Sequence, residues 1–251
     1  MKALILAAGE AKRLRPLSAD IPKCMLPIDG KSIINYQIEN LVAAGITEAV
    51  VVTGYMAEKL EDHLVTSNPD FSFIFIRSKD YAKTYPAHGL WLAKDCFTED
   101  CLYLNADVIC HPHIISCIVE DPRGSVTAVQ RNPWDEEEVN VILGSDSSQV
   151  VELGKYISKS LNDGEFIGVT KIAAGFGQTL ITVLDDFIAK EEFKKFAADA
   201  LNLTIQRGES LYALDVSHLP AIEIDTKADL DAAQDKLAAI QNDPDTPCFT
   251  K

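Results

Sequence analysis

The chain has 251 residues, of which 47% are hydrophobic, so a sizeable core is within reach, and its formal net charge is −15. That charge argues against a general nucleic-acid binder, which carries a basic surface, but it permits a small anionic ligand held by a few local cations. The six cysteines show neither a CxxC pair nor zinc-ligand spacing, and no apolar run is long enough to span a bilayer; reduced, mostly buried thiols in a cytoplasmic protein are expected.

In chain order, "MKALILAAG" has too short an apolar run, met too soon by charge, for a signal peptide, and predicts a first strand over 3–7. "SIINYQIENLVAAG" has helical spacing and stops at Gly45. "EAVVVTGY" predicts a second buried strand, followed by an amphipathic helix near 56–65. "FSFIFI" predicts a third buried strand, "AHGLWLAKD" a helix with Trp91 in the core, and "DCLYLNAD" a fourth strand ending in Asp107. "HPH" at 111–113 marks a helix start rather than a metal site, "HIISCIVED" is that helix, and "GSVTAVQ" a fifth strand. Farther on, "VNVILGSDSSQVVELG" reads as a hairpin turning at 144–148, and "EFIGVTKIAA" as a strand. Residues 176–204 are largely helical, and "AIEIDT" is a short strand leading into a helix over 227–241. The acidic run Asp135–Glu138 reads first as a solvated turn and, beside Trp134, alternatively as a stretch that recognises an ammonium group by charge and cation–π contact. Strand–helix alternation predicts an α/β fold with a doubly wound, mostly parallel sheet, whose ligands bind at the carboxyl ends of the strands.

The loop after the first strand sits at such an end. It gathers Lys12, Arg13, Arg15 and Lys23 with Pro16, Pro22 and Pro27 behind Gly9. Glycine lets backbone amides approach a ligand, and cations beside them make an anion site. Neither familiar phosphate loop fits: the dinucleotide fingerprint lacks its glycines, and Met25 stands where a Walker loop needs one.

"LAAGEAKRLRPLSADIPKCMLPI" resembles the signature of the nucleotidyltransferases that make sugar nucleotides and CDP-alcohols, with Leu6, Ala7, Ala8 and Gly9, then Arg13, Leu14 and Pro16, then Pro22, Lys23 and Pro27 in the signature positions. The resemblance implies a Rossmann-like nucleotidyltransferase fold with a small hairpin and helical acceptor-binding part. It implies one domain over 1–241, nucleotide-binding over roughly 1–130 and acceptor-binding over roughly 131–225, with a loose tail at 242–251. Leu6 to Gly9 would hold base and sugar, with His88 and Gly89 nearby; Arg13 would face the β- and γ-phosphates, and Lys23 the α-phosphate or the acceptor phosphate. Transfer to phosphorus builds negative charge that such cations stabilise. Mg2+ is expected on Asp107 and Asp225, with Glu223 in support, although Thr226 competes with Asp225 as the structural element at that helix start. In the family glycine is the usual neighbour of the first aspartate; here Asn105 and Ala106 stand there.

"WDEEEVNVILG", "GEFIGVTKI" and "EIDTKADL" are most similar to the phosphocholine cytidylyltransferase branch, although Tyr85, Pro86, Ala87, His88 and Gly89 replace the asparagines and serine often found there. This implies CTP, pyrophosphate release and a small acceptor: phosphocholine, 2-aminoethylphosphonate, another phosphonate or phosphoamide, or a polyol phosphate. Tyr81, Trp134, Glu165 and Tyr212 are the acceptor-site residues expected, Trp134 by cation–π contact with an ammonium group. Lys23, on an exposed loop, should matter to turnover and little to stability. The alternatives are a sugar-1-phosphate enzyme using UTP, dTTP or GTP, a non-catalytic nucleotide-binding regulatory protein, and an acidic interaction module. The sequence leaves a homodimer open.

Overall fold

The computed structural model describes residues 1–132 and 134–243. In chain order the elements are β1 (Lys2–Ala7), β2 (Pro27–Ile28), β3 (Lys31–Ser32), α1 (Ile33–Ala43), β4 (Glu48–Thr53), α2 (Ala57–Ser67), β5 (Ser72–Arg77), α3 (Pro86–Leu92), β6 (Cys101–Asn105) and β7 (Val108–Cys110). They continue with α4 (Pro112–Glu120), β8 (Ser125–Gln130), β9 (Asn140–Leu143), β10 (Val150–Gly154), β11 (Gly164–Ile172), α5 (Ala174–Ala189), α6 (Ala197–Gln206), β12 (Leu211–Asp215), β13 (Ala221–Glu223) and α7 (Lys227–Gln241).

The central sheet runs β10-β9-β11-β6-β1-β4-β5, with β8 joined to β11 and β12 to β8. Strands β6, β1, β4 and β5 are parallel to one another, as are β8 and β12, while β11 is antiparallel to its neighbours. The parallel strands read as unbroken apolar runs because both faces are covered. Alternation sorts them: Ile5, Val51 and Leu104 pack with Ile34, Ile38 and Leu41 of α1, whereas Leu4, Val52 and Tyr103 pack with Leu90 of α3 and Leu180 of α5. Each fully buried Leu or Ile contributes about 1.5–3 kcal/mol.

The predicted hairpin is β9–β10, and α1 ends as expected: Gly45 turns left-handed at φ 78° and the Ile46 amide returns to the Leu41 carbonyl at 2.9 Å. One expectation is corrected. β5 is the edge strand, and its Ser72, Ile74 and Arg77 are exposed; only β4 pairs with it, so "FSFIFI" is half-covered rather than buried. The short strand predicted in "AIEIDT" is β13, but the sequence revealed neither β12 nor β7, with which β13 forms a short antiparallel pair. That pair matters most, because it carries the chain after β13 to the end of β6: the Ile224 amide donates to the Asp107 carbonyl at 3.0 Å.

The predicted tail begins outside helix α7, and residues 244–251 lie outside the described residues, as does Cys248. Cys24, Cys96, Cys101 and Cys110 are free and buried, and Cys117 is free and exposed. No helix among the described residues is long and apolar enough to cross a membrane.

Candidate active site

Backbone packing fixes the loop after β1. The Tyr55 amide donates to the Ala8 carbonyl at 3.0 Å, and the Ala106 amide to the Leu6 carbonyl at 3.2 Å. Gly54 makes this fit possible: a Cβ there would lie 2.7 Å from the Ala8 carbonyl oxygen. Farther along, the buried Leu14 anchors the loop against the α7 cluster, and the Ser18 hydroxyl donates to the Ala11 carbonyl at 2.7 Å. Arg13 and Lys23 each stand in a single helical turn, Lys12–Leu14 and Lys23–Met25, and both project toward the mouth of the sheet.

There they meet carboxylates. The Lys23 ammonium donates to Asp107 Oδ2 at 2.6 Å and also to Asp225 Oδ1. Arg13 donates to Asp225 Oδ2 and, at 2.5 Å, to Glu137 Oε2. Thr226, not Asp225, caps α7, its side chain accepting from the Asp229 amide; Asp225 is thereby free to face the cleft. Carboxylate oxygens of Asp107, Glu223 and Asp225 lie within 4.8 Å of one another.

Three charges so close shift one another. Burial disfavours an ionised Lys23, yet Asp107 and Asp225 beside it hold its ammonium well above the ordinary lysine value. Burial likewise opposes ionisation of Asp225, but the charges of Lys23 and Arg13 keep its carboxyl below the usual range. Glu223 is pushed well up, first by burial and then by the charge of Asp107. The donor set suits a hard cation. It is all oxygen, it is clustered, and Asp107 Oδ1 is buried with no hydrogen-bond partner. Asp107 and Asp225 are therefore fit to hold Mg2+.

A cavity of about 310 Å³ opens beside this cluster. The predicted Leu6, Ala8, Gly9, Arg13, Tyr81, Gly89, Asp107 and Asp225 line it, and Ala7 and Lys23 line the adjoining pocket. Four predicted residues do not line either pocket. His88 turns its ring toward Trp91 and Phe193, with centroids 5.7 and 6.1 Å away. Trp134 spends its indole N–H on the Ile157 carbonyl at 3.0 Å, so it pins two loops together. Glu165 accepts from Asn132 at 2.8 Å, whereas its neighbour on β11, Phe166, lines the cavity; strand alternation allows only one of the two to do so. Tyr212 lies on β12 with the Arg123 guanidinium over its ring. In their place the cavity is lined by Glu138, Lys155, Phe166 and Phe196.

Sequence reasoning missed Lys155, and reached Glu138 only as part of an acidic run read first as a solvated turn. The Lys155 ammonium donates to the Glu137 carbonyl at 2.6 Å and lies 5.1 Å from the centre of the Phe196 ring. Glu138, part of the run read as a solvated turn, is pushed up to about 7 by burial and by the charges of Glu165 and Asp225.

Residues 2–120 match the family model described as nucleotidyl transferase. A CTP:phosphoglutamine cytidylyltransferase of Campylobacter jejuni is 32% identical over 194 residues, covering 70% of this chain and 74% of that protein. A UTP–glucose-1-phosphate uridylyltransferase of Haloferax volcanii is 29% identical over 157 residues, 61% of this chain and 64% of that protein. Among solved structures, a CTP:phosphocholine cytidylyltransferase from Streptococcus pneumoniae superposes with a TM-score of 0.78 at 22% identity, over 94% of this chain and 98% of that one. An inositol-1-phosphate CTP transferase from T. maritima gives 0.81 at 20%, over 98% of each chain. At these identities the structural likeness speaks to the fold.

Proposed function

Because the chain belongs to the nucleotidyl transferase family, we propose that it transfers CMP from CTP to a small phosphate- or phosphonate-bearing acceptor and releases pyrophosphate. The observation that carries this reading is the meeting of Lys23 and Arg13 with Asp107 and Asp225 at the mouth of the parallel strands. CTP is chosen because the Campylobacter jejuni relative bears that nucleotide in its name.

The triphosphate lies along the Leu6–Gly9 backbone, with its β- and γ-phosphates toward Arg13. An oxygen of the acceptor phosphate attacks the α-phosphorus, the α–β bridging bond breaks, and pyrophosphate departs on the Arg13 side. A phosphate monoester is already largely dianionic near neutral pH, so the attack requires no general base. Lys23 neutralises charge growing on the α-phosphate oxygens, and being fixed by two carboxylates it does so without reorganising. Mg2+ held by Asp107 and Asp225 would add further charge neutralisation at the same phosphate. Lys155, on the facing wall, anchors the acceptor phosphate. Phe166, Phe196 and Glu138 then receive the acceptor's nitrogen end, an ammonium or an amide N–H, which favours phosphocholine, 2-aminoethylphosphonate or a phosphoamide over a polyol phosphate.

The test is a matrix of the four nucleoside triphosphates against a panel of these acceptors and sugar 1-phosphates, read by magnesium-dependent pyrophosphate release. Fastest turnover with CTP and a nitrogen-bearing acceptor is expected. Equal or faster turnover with UTP and a sugar 1-phosphate would overturn the cytidylyl assignment.

A further inference from the structure

Two buried side-chain oxygens among the described residues have no hydrogen-bond partner, Asp107 Oδ1 and Gln37 Oε1. Asp107 belongs to the acidic cluster at the cleft. Gln37 lies on α1, with its side chain only 2% exposed. Burying an acceptor without a partner is costly, and an apolar side chain would fill the same space without that cost. The other end of the amide explains why glutamine stands there. Gln37 Nε2 donates to the Asn105 carbonyl at 2.7 Å and to the Val108 carbonyl at 2.8 Å. Reversed, the amide would set its oxygen against two carbonyl oxygens, so the hydrogen-bond network fixes this orientation.

The two carbonyls bracket Asp107. β6 ends at Asn105 and β7 begins at Val108, so Ala106 and Asp107 form the link between the strands. The link is tied from three directions. The Ala106 amide donates to the Leu6 carbonyl of β1 at 3.2 Å, the Ile224 amide donates to the Asp107 carbonyl at 3.0 Å, and Gln37 holds both flanks from α1. The Asp107 carboxylate itself is held by the ammonium of Lys23, at the end of a long flexible side chain. Its direction is therefore set mainly by the backbone of the link. One turn farther along α1, Asn40 Nδ2 donates to the Cys110 carbonyl at 2.9 Å. That contact joins the same helix to the same strand but lies three residues beyond Asp107, so it offers an internal comparison.

Resting on the reading above, in which Asp107 holds Mg2+, we propose that Gln37 is a positioning residue. Its amide clamps the link between β6 and β7 so that the Asp107 carboxylate is presented to the metal. Groups that orient a metal ligand in this way are part of the site's affinity although they never touch the ion.

The experiment compares the full chain with Gln37→Met, which keeps the length of the side chain and lacks its donors, and with Asn40→Leu. Manganese, which takes the oxygen ligands that magnesium takes, is titrated onto each protein, and the free ion is read by electron paramagnetic resonance. Inorganic tripolyphosphate is titrated calorimetrically without metal, and unfolding temperatures are measured without ligand. Gln37→Met is expected to bind manganese roughly tenfold or more weakly, with tripolyphosphate affinity little changed because Arg13 and Lys23 are untouched. Asn40→Leu should keep its manganese affinity even where it melts at a lower temperature. Gln37→Leu, a shorter apolar side chain without donors, should repeat the loss and covers the case in which Gln37→Met folds badly. Unchanged manganese affinity in both Gln37 variants would overturn the proposal. So would an equal loss in Asn40→Leu, which would make the Gln37 amide one structural contact among others. Failure of the unmodified protein to bind manganese would instead sink the metal site of the reading above, and this inference with it.

Discussion

Arg13 and Glu137, 124 positions apart in sequence, meet at 2.5 Å across the mouth of the cleft. The pair ties the loop proposed to receive the triphosphate to the wall that bears Glu138. A carboxylate here occupies the guanidinium that phosphates would engage, so nucleotide binding competes with an internal partner. Both side chains are half-exposed or more, and such a pair is worth only about 0.2–1 kcal/mol. Glu137→Gln is therefore expected to lower the KM for CTP by no more than about fivefold, with kcat little changed. Steady-state kinetics at low and high salt check this. The gain should shrink as salt rises, and an increased KM would show that Glu137 aids binding.

Lys23 is not the exposed loop lysine that its sequence setting suggests. Its side chain is 14% exposed and bridges two carboxylates. Lys23→Ala should cut turnover by roughly 100-fold or more, about 2.7 kcal/mol of barrier. It should also destabilise the protein, since removing one partner strands buried charge. Thermal unfolding measured with and without magnesium distinguishes the two effects. The melting temperature should fall in the variant, and millimolar magnesium should restore part of it by neutralising Asp107 and Asp225. Near-normal turnover would remove Lys23 from the mechanism.

Asparagine matches aspartate in size and lacks its charge. Asp107→Asn and Asp225→Asn should each lose most turnover and require more magnesium for what is left. The two should differ in one respect. Asp225 also accepts from Arg13, so Asp225→Asn alone should alter the KM for CTP as well as the magnesium dependence. Kinetics with magnesium and CTP varied in turn would show it, and normal magnesium dependence in Asp225→Asn would refute the two-carboxylate site.

How much of this was legible beforehand depends on spacing. Leu6–Gly9, Arg13 and Lys23 sit in one long signature, and Asp107 ends an apolar strand, so their convergence follows from parallel topology alone. Asp225 could be placed because Thr226 offers a better cap beside it. Lys155 could not: "GKYISKS" has the composition of any solvated loop, and only the hairpin of β9 and β10 brings it over Phe196. Trp134 and Tyr212 misled because an aromatic in a polar stretch looks like a binding residue, whereas here one ring N–H is satisfied by a carbonyl and the other ring by an arginine. β12 stayed hidden because it pairs with β8 across a long crossover, and no local pattern encodes that partner.

Glu138 gives the fold a measurable pH signature. Burial comes first among the causes that push its carboxyl up to about 7; Glu165, Asp225 and Asp135 add to it, and Lys155 opposes it. In an unfolded chain a glutamate titrates near about 4.3. The folded state thus keeps the proton to higher pH than the unfolded state does. The stability that this gives is fully present below the unfolded value and is lost as pH rises through about 7. Glutamine imitates the protonated form at every pH. Glu138→Gln should therefore match the unmodified protein near pH 4 and become progressively more stable than it between pH 5 and 8. Because every other group titrates in both proteins, the difference between their melting temperatures isolates Glu138. A difference that stays flat across this range would mean that Glu138 is ionised throughout, and that this wall of the cavity carries a full negative charge at neutral pH.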